Sequence, residues 1–210
     1  MKSRVVILMH TAEEVLTSNT ARLAAKALVN SEIRYHGRKT GRMSTEGLIV
    51  PERESLLLFP SPYAEELNAE FVARLTRPVT LIVPDGSWRQ AQKMIRRDPL
   101  FATIRHVKLP PGPPSIYKLR IQPDAEGLCT LEAIARSLGI VESPAAQTEL
   151  EALLRVMVVR TLWSRGALTR EQFEALDIPA VVPGDRPKGS RAVPPSAGSA
   201  ASDFPTDSLS

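Results

Sequence analysis

Cysteine occurs once in this 210-residue chain, at Cys129. A single thiol permits no intramolecular disulfide and no cysteine-based zinc site, so no metal is expected. It also fits a reducing compartment. Long apolar runs are missing too. The opening MKSRVVILMHTAEE holds a short apolar stretch that two acids soon interrupt. That stretch is too short for a signal peptide and far too short to cross a bilayer. The expected location is therefore cytoplasmic, with no membrane partner. The three histidines, His10, His36 and His106, are scattered without metal-ligand spacing. No GxGxxG or Walker loop occurs, and no serine or cysteine nucleophile sits in a recognisable arrangement. These absences argue against a Rossmann methyltransferase and a nucleotide hydrolase.

What is present is ordinary for a globular domain: 43% hydrophobic and 24% charged residues. Residues 1–178 are expected to form one domain. Residues 179–210 are rich in Pro, Ser, Ala and Gly, with few large apolar side chains, and are expected to be a disordered tail. Net charge is a modest +4, and its distribution is more informative than its sum. The stretch RYHGRKTGR places Arg34, Arg38, Lys39 and Arg42 within nine positions, and Arg89, Lys93 and Arg96 recur at helical spacing. Each cluster alone could be a solvated face. Two together point to a phosphate-rich partner, and these seven residues are its candidate contacts.

Apolar runs at 4–9, 55–60, 79–84 and 104–109 read as strands. Helices are expected after Asn19, at 64–75, at 87–97, from about Thr130, and over roughly 145–165, where Leu150, Leu153, Leu154, Met157, Val158 and Leu162 form a stripe. Strands alternating with helices, and little period-two patterning, predict an α/β fold: a mainly parallel sheet with helices on both faces.

In such sheets ligands sit beyond the carboxyl ends of the strands, and Asp85 lies at one, in LIVPDGSWRQAQ. Ser87 with Gln90 makes a capping box, and Trp88, Ala91 and Ile95 make an inward stripe. Read alone, this is a turn, a cap and a core residue. The proline-rich LPPGPPSIYKLRIQP could hold backbone groups to a ligand at low entropic cost, and Lys118 and Arg120 could bind an anion. In CTLEAIARSLG, Thr130 and Glu132 open another helix, which capping alone explains.

Taken together these stretches resemble the DTW-domain family, whose Asp-x-Thr-Trp motif stands here as Asp85-Gly86-Ser87-Trp88. The family's Leu-Arg element matches Leu119-Arg120, and its Ser-Thr-x-Glu-Ala element matches Cys129-Thr130-Leu131-Glu132-Ala133. His10, Glu13 and Asn19-Thr20-Ala21-Arg22 resemble its amino-terminal elements, in order across about 10–142. Two positions depart: Ser87 keeps the hydroxyl of the family threonine, whereas Cys129 replaces a serine with a weaker acceptor. The amino-terminal cysteine cluster of many relatives is absent.

The resemblance implies a SPOUT-related fold with a knotted cofactor region. It implies a tRNA-uridine aminocarboxypropyltransferase that moves the 3-amino-3-carboxypropyl group of S-adenosylmethionine to uridine N3. Asp85 is then the candidate general base, with Ser87 and Trp88 beside it in the catalytic motif. Leu109, Pro110, Tyr117, Leu119, Arg120, Thr130 and Glu132 are the candidate cofactor contacts. Arg120 would meet the cofactor carboxylate or an RNA phosphate, Thr130 and Glu132 its amino or ribose groups, and the backbone of 109–117 its adenine. A SPOUT-like RNA methyltransferase and a non-catalytic RNA-binding protein are the alternatives. Neither the target uridine nor the oligomeric state is legible.

Overall fold

The computed structural model describes residues 1–16, 18–38, 41–117, 119, 127–176 and 178. Lys39, Lys118, Arg120 and the predicted tail 179–210 lie outside the described residues. The chain divides into two compact units, one of Met1–Pro113 with Leu128–Glu151 and the other of Pro114–Gly127 with Ala152–Ser210.

The first unit is built on six parallel strands in the order β2-β1-β5-β3-β6-β4: β1 Arg4–His10, β2 Ser31–His36, β3 Glu54–Leu58, β4 Glu65–Glu66, β5 Val79–Asp85 and β6 Arg105–Lys108. The predicted α/β class is observed. In β1 and β5 both alternating sets of side chains are buried, Val5 to Met9 and Leu81 to Val83, because helices cover both faces. On one face α3 (Trp88–Arg97) and α4 (Leu100–Thr103) seal a core of Val6, Leu8, Leu57, Phe59, Ile82, Ala91, Met94 and Phe101. On the other, α1 (Thr20–Ala27) and α5 (Thr130–Val141) pack on each other and on the central strands. There Ala21, Ala24, Leu131, Ile134 and Leu138 are buried. Parity therefore assigns faces: even residues of β1 and β5 point to α3, odd residues to α1 and α5.

Three local expectations change. The single helix expected over 64–75 is instead the edge strand β4, paired with β6, followed by the short helix α2 Ala69–Ala73. Asn68 starts that helix by accepting from the Phe71 N–H at 2.8 Å, so the chain before it is free to extend. SEIRYH, which lacks an apolar run, is the edge strand β2, where one neighbour suffices. Trp88 does not join Ala91 and Ile95 inside; it is 54% exposed, and Met94 at 1% takes the core position.

In the second unit the later part of α6 (Pro144–Ser164) buries Leu154, Val158 and Val159, while Leu153, Met157 and Leu162 are half-buried. Trp163 stacks on Phe173 of α7 (Arg170–Glu174) with ring centroids 4.9 Å apart. Arg165 Nη1 donates to the Leu119 carbonyl at 3.3 Å. Among the described residues no helix is long and apolar enough to cross a membrane.

Candidate active site at the carboxyl ends of the central strands

Strands β1 and β5 are neighbours whose connections leave in opposite directions, β1 through α1 to β2 and β5 through α3 toward β6. A crevice at this reversal of strand order is where open α/β sheets hold ligands. Asp85 ends β5 there, and Met9 is its register partner on β1.

Asp85 is odd in β5, so it points to the α1 and α5 face, and both helix starts reach it. Thr130, the first residue of α5, donates its hydroxyl to Asp85 Oδ1 at 2.5 Å. Asn19 caps α1 by accepting from the Arg22 N–H at 2.8 Å, and its Nδ2 donates to Asp85 Oδ2 at 3.2 Å. The carboxylate is only 6% exposed. Two helix N-termini and two side-chain donors thus converge on one buried acid, a surrounding that suits negative charge.

Gly86 follows with φ +151, and a Cβ there would lie 3.0 Å from Gln90 Oε1 and 3.2 Å from His10 Cβ. A glycine is required by both conformation and space. Ser87 caps α3, and the capping box predicted from sequence is present: the Ser87 N–H donates to Gln90 Oε1 at 2.7 Å, and the Gln90 N–H to Ser87 Oγ at 3.4 Å. Trp88 stacks on Phe59 at 4.8 Å with planes 16° apart, leaving the other ring face to solvent.

His10 is even in β1 and points to the α3 side. Its Nδ1 accepts from the Ala12 N–H at 3.1 Å and lies 3.1 Å from Gln90 Nε2. An Nδ1 that accepts places the neutral ring's proton on Nε2. Gln90 therefore closes the cap with its oxygen and orients His10 with its nitrogen, a second duty that spacing alone does not announce.

Cys129 and Glu132 serve the start of α5. The Cys129 N–H donates to Glu132 Oε2 at 2.9 Å, and Glu132 is 2% exposed. Burial, then the Glu132 charge, pushes the Cys129 thiol from 9.0 up to about 12, so it is inert at neutral pH. Leu109 and Pro110 are half-buried after β6. The proline-rich segment beyond them is pinned by Arg136 of α5, whose Nη2 donates to the Pro113 carbonyl at 2.7 Å. Tyr117 and Leu119, which belong to the second unit, are buried.

The predicted basic residues divide by commitment. Arg34 bonds to the Ser44 and Glu46 carbonyls and pairs with Glu32 at 2.6 Å. Arg38 pairs with Glu14 at 3.3 Å and lies over the Tyr35 ring at 4.2 Å. With Arg42 and Met43 they line an open groove of about 460 Å³. Arg89, Lys93 and Arg96 are exposed on α3. Arg97, in the same basic run of the helix, is exposed as well.

A parallel α/β scaffold with a buried, hydrogen-bonded acid at its switch point belongs to the open-sheet class that binds ligands at this place. Comparison narrows it. The DTW domain model matches residues 1–162, and the chain belongs to the DTW-domain family. It is 32% identical over 147 residues to tRNA-uridine aminocarboxypropyltransferase 2 of Drosophila melanogaster, covering 68% of this chain and 58% of that protein. The Macaca fascicularis protein of the same name is 29% identical over 148 residues, 68% of this chain and 49% of that one. The chain thus spans about half the length of these relatives. The SAM-dependent rRNA:acp-transferase Tsr3 from Vulcanisaeta distributa aligns at TM-score 0.46 and 19% identity, over 83% of this chain and 85% of that one.

Proposed function

We propose that this protein transfers the 3-amino-3-carboxypropyl group of S-adenosylmethionine to N3 of a tRNA uridine. One observation carries the reading most: the acid of the family motif, Asp85, is buried and held from two sides by Thr130 and Asn19. Membership of the family and the names of its relatives supply the reaction class.

The residues present fit the co-substrate by the chemistry of their groups. The Asp85 carboxylate suits a cationic donor, and the pinned backbone of 109–113 offers carbonyls for a purine edge. When bound, the sulfonium makes an attached carbon electrophilic. This chain's own part is proton removal and placement. Asp85 takes the N3 proton, the freed N3 pair forms the new C–N bond, and the broken C–S pair returns to sulfur in methylthioadenosine. Holding the carboxylate rigid fixes which carbon meets N3, so position selects aminocarboxypropyl over methyl transfer. Trp88 offers its exposed face for stacking on the uracil ring. Arg120 would hold the cofactor carboxylate, and the knotted cofactor region implied by the resemblance belongs to this reading.

Incubation with S-adenosylmethionine and unmodified tRNA, followed by nucleoside mass spectrometry, tests it. The expected product carries the aminocarboxypropyl mass, with methylthioadenosine released and activity lost in Asp85→Asn. A methyl increment with S-adenosylhomocysteine would instead identify an RNA methyltransferase. Binding of tRNA with no binding of S-adenosylmethionine by calorimetry would leave a non-catalytic RNA-binding protein.

A further inference from the structure

His10 and His36 are register partners at the carboxyl ends of β1 and β2. In a parallel pair, register partners point to the same face, here the α3 side. Their ring centroids are 6.0 Å apart. His36 Nδ1 is shielded from solvent and has no hydrogen-bond partner. An orphaned buried nitrogen of this kind calls for an explanation. The His10 ring is locked by its two Nδ1 neighbours, which leaves Nε2–H as a donor. That Nε2 faces Gly37, where φ is +90 and a Cβ would come within 3.3 Å, so a glycine keeps the space beside it open.

Helix α3 packs on this same face of the sheet. Gln90 touches His10, and Lys93 and Arg97 follow it at spacings of three and four, on the same helix face. Neither cation has an anionic partner among the described residues. Burial lowers the His36 pKa, and the charges of His10, Arg97 and Lys93 lower it further. Both α3 cations are therefore close enough to oppose a proton there.

We propose that His10, His36, Lys93 and Arg97 form a seat for one phosphodiester of the RNA strand, on the opposite face of the β1–β5 rim from Asp85. The inference rests on the reading of this protein as an RNA-modifying enzyme, and it assigns a job to residues that the transfer chemistry leaves unused. The non-bridging oxygens of a phosphodiester accept hydrogen bonds from donors of this kind. A strand seated here would be anchored beside the crevice while a neighbouring nucleotide reaches the other side of the rim.

Binding of unmodified tRNA to the full chain, measured by anisotropy at several salt concentrations, tests the seat. Loss of one phosphate contact lowers the slope of log affinity against log salt by roughly 0.7–0.9. The double variant Lys93→Gln/Arg97→Gln is expected to lose about that much, while Lys26→Gln, an exposed charge on α1, loses none. The imidazole 15N signals of His36 provide an independent measurement, titrated with tRNA and separately with inorganic phosphate. A shift with tRNA that the double variant lacks supports the seat. A shift with inorganic phosphate alone, or an unchanged slope in the double variant, overturns it. The transfer reading fails separately, if tRNA binds as described yet acquires no aminocarboxypropyl group.

Discussion

Thr130→Val probes the contact on which the active-site reading depends. The substitution keeps the branched shape and nearly the same helix propensity at the first residue of α5. It removes one proton donor, the hydroxyl 2.5 Å from Asp85 Oδ1. A hydrogen bond to a charged group contributes about 1.5–3 kcal/mol. Asp85 is 6% exposed, so water replaces the lost donor poorly, and Asn19 already serves the other oxygen. The full range therefore applies. For a chain of this size, 1 kcal/mol moves Tm by roughly 2–4 °C, which predicts a drop of about 3–12 °C. Urea unfolding of wild type, Thr130→Val, Asp85→Ala and the double variant closes a cycle. The expected coupling is above about 1 kcal/mol, because without the carboxylate the threonine hydroxyl has nothing to address. A cost below about 0.5 kcal/mol, or an equal cost in the Asp85→Ala background, would refute the reasoning. Convergence of α5 on Asp85 would then be proximity without energetic content.

Gly86→Ala should destabilise by more than about 1 kcal/mol in urea unfolding, since the new Cβ meets both the left-handed backbone and Gln90 Oε1 at 3.0 Å. Cys129, with its thiol pushed up to about 12, should resist iodoacetamide at pH 8 in the native protein and react fully in urea. The raised folded pKa also fixes the sign of its linkage. The protection is complete below pH 9.0, the thiol's ordinary value, and is lost as pH climbs toward 12, so alkaline melts of Cys129→Ser should show a shallower decline over that window.

Much of the scaffold was legible because it depends on neighbours in sequence. The apolar runs of β1, β3 and β5 mark strands whose both faces are covered, and the serine–glutamine spacing of the α3 cap is a contact between residues three apart. Asp85 stood out at a strand end for the same reason. Trp88 shows where local pattern misleads. Its spacing from Ala91 puts it on the buried stripe, yet Trp88 is 54% exposed and stacks on Phe59 at the start of α3. SEIRYH carries no strand signal because an edge strand needs no apolar run.

By itself, then, the sequence determined the alternation of strands and helices, the cap on α3 and the acid at the end of β5, all consequences of short-range sterics and of burial pattern. Only the tertiary structure decided what that acid meets. Asn19 and Thr130 lie 66 and 45 residues from Asp85, and they converge on it because the strand order sets β1 beside β5 and packs α1 against α5. The same parity sends His10 and His36 to the opposite side of the rim. Pleating turns a difference of one residue into a difference of face, and only the pairing register reveals which residues then share one.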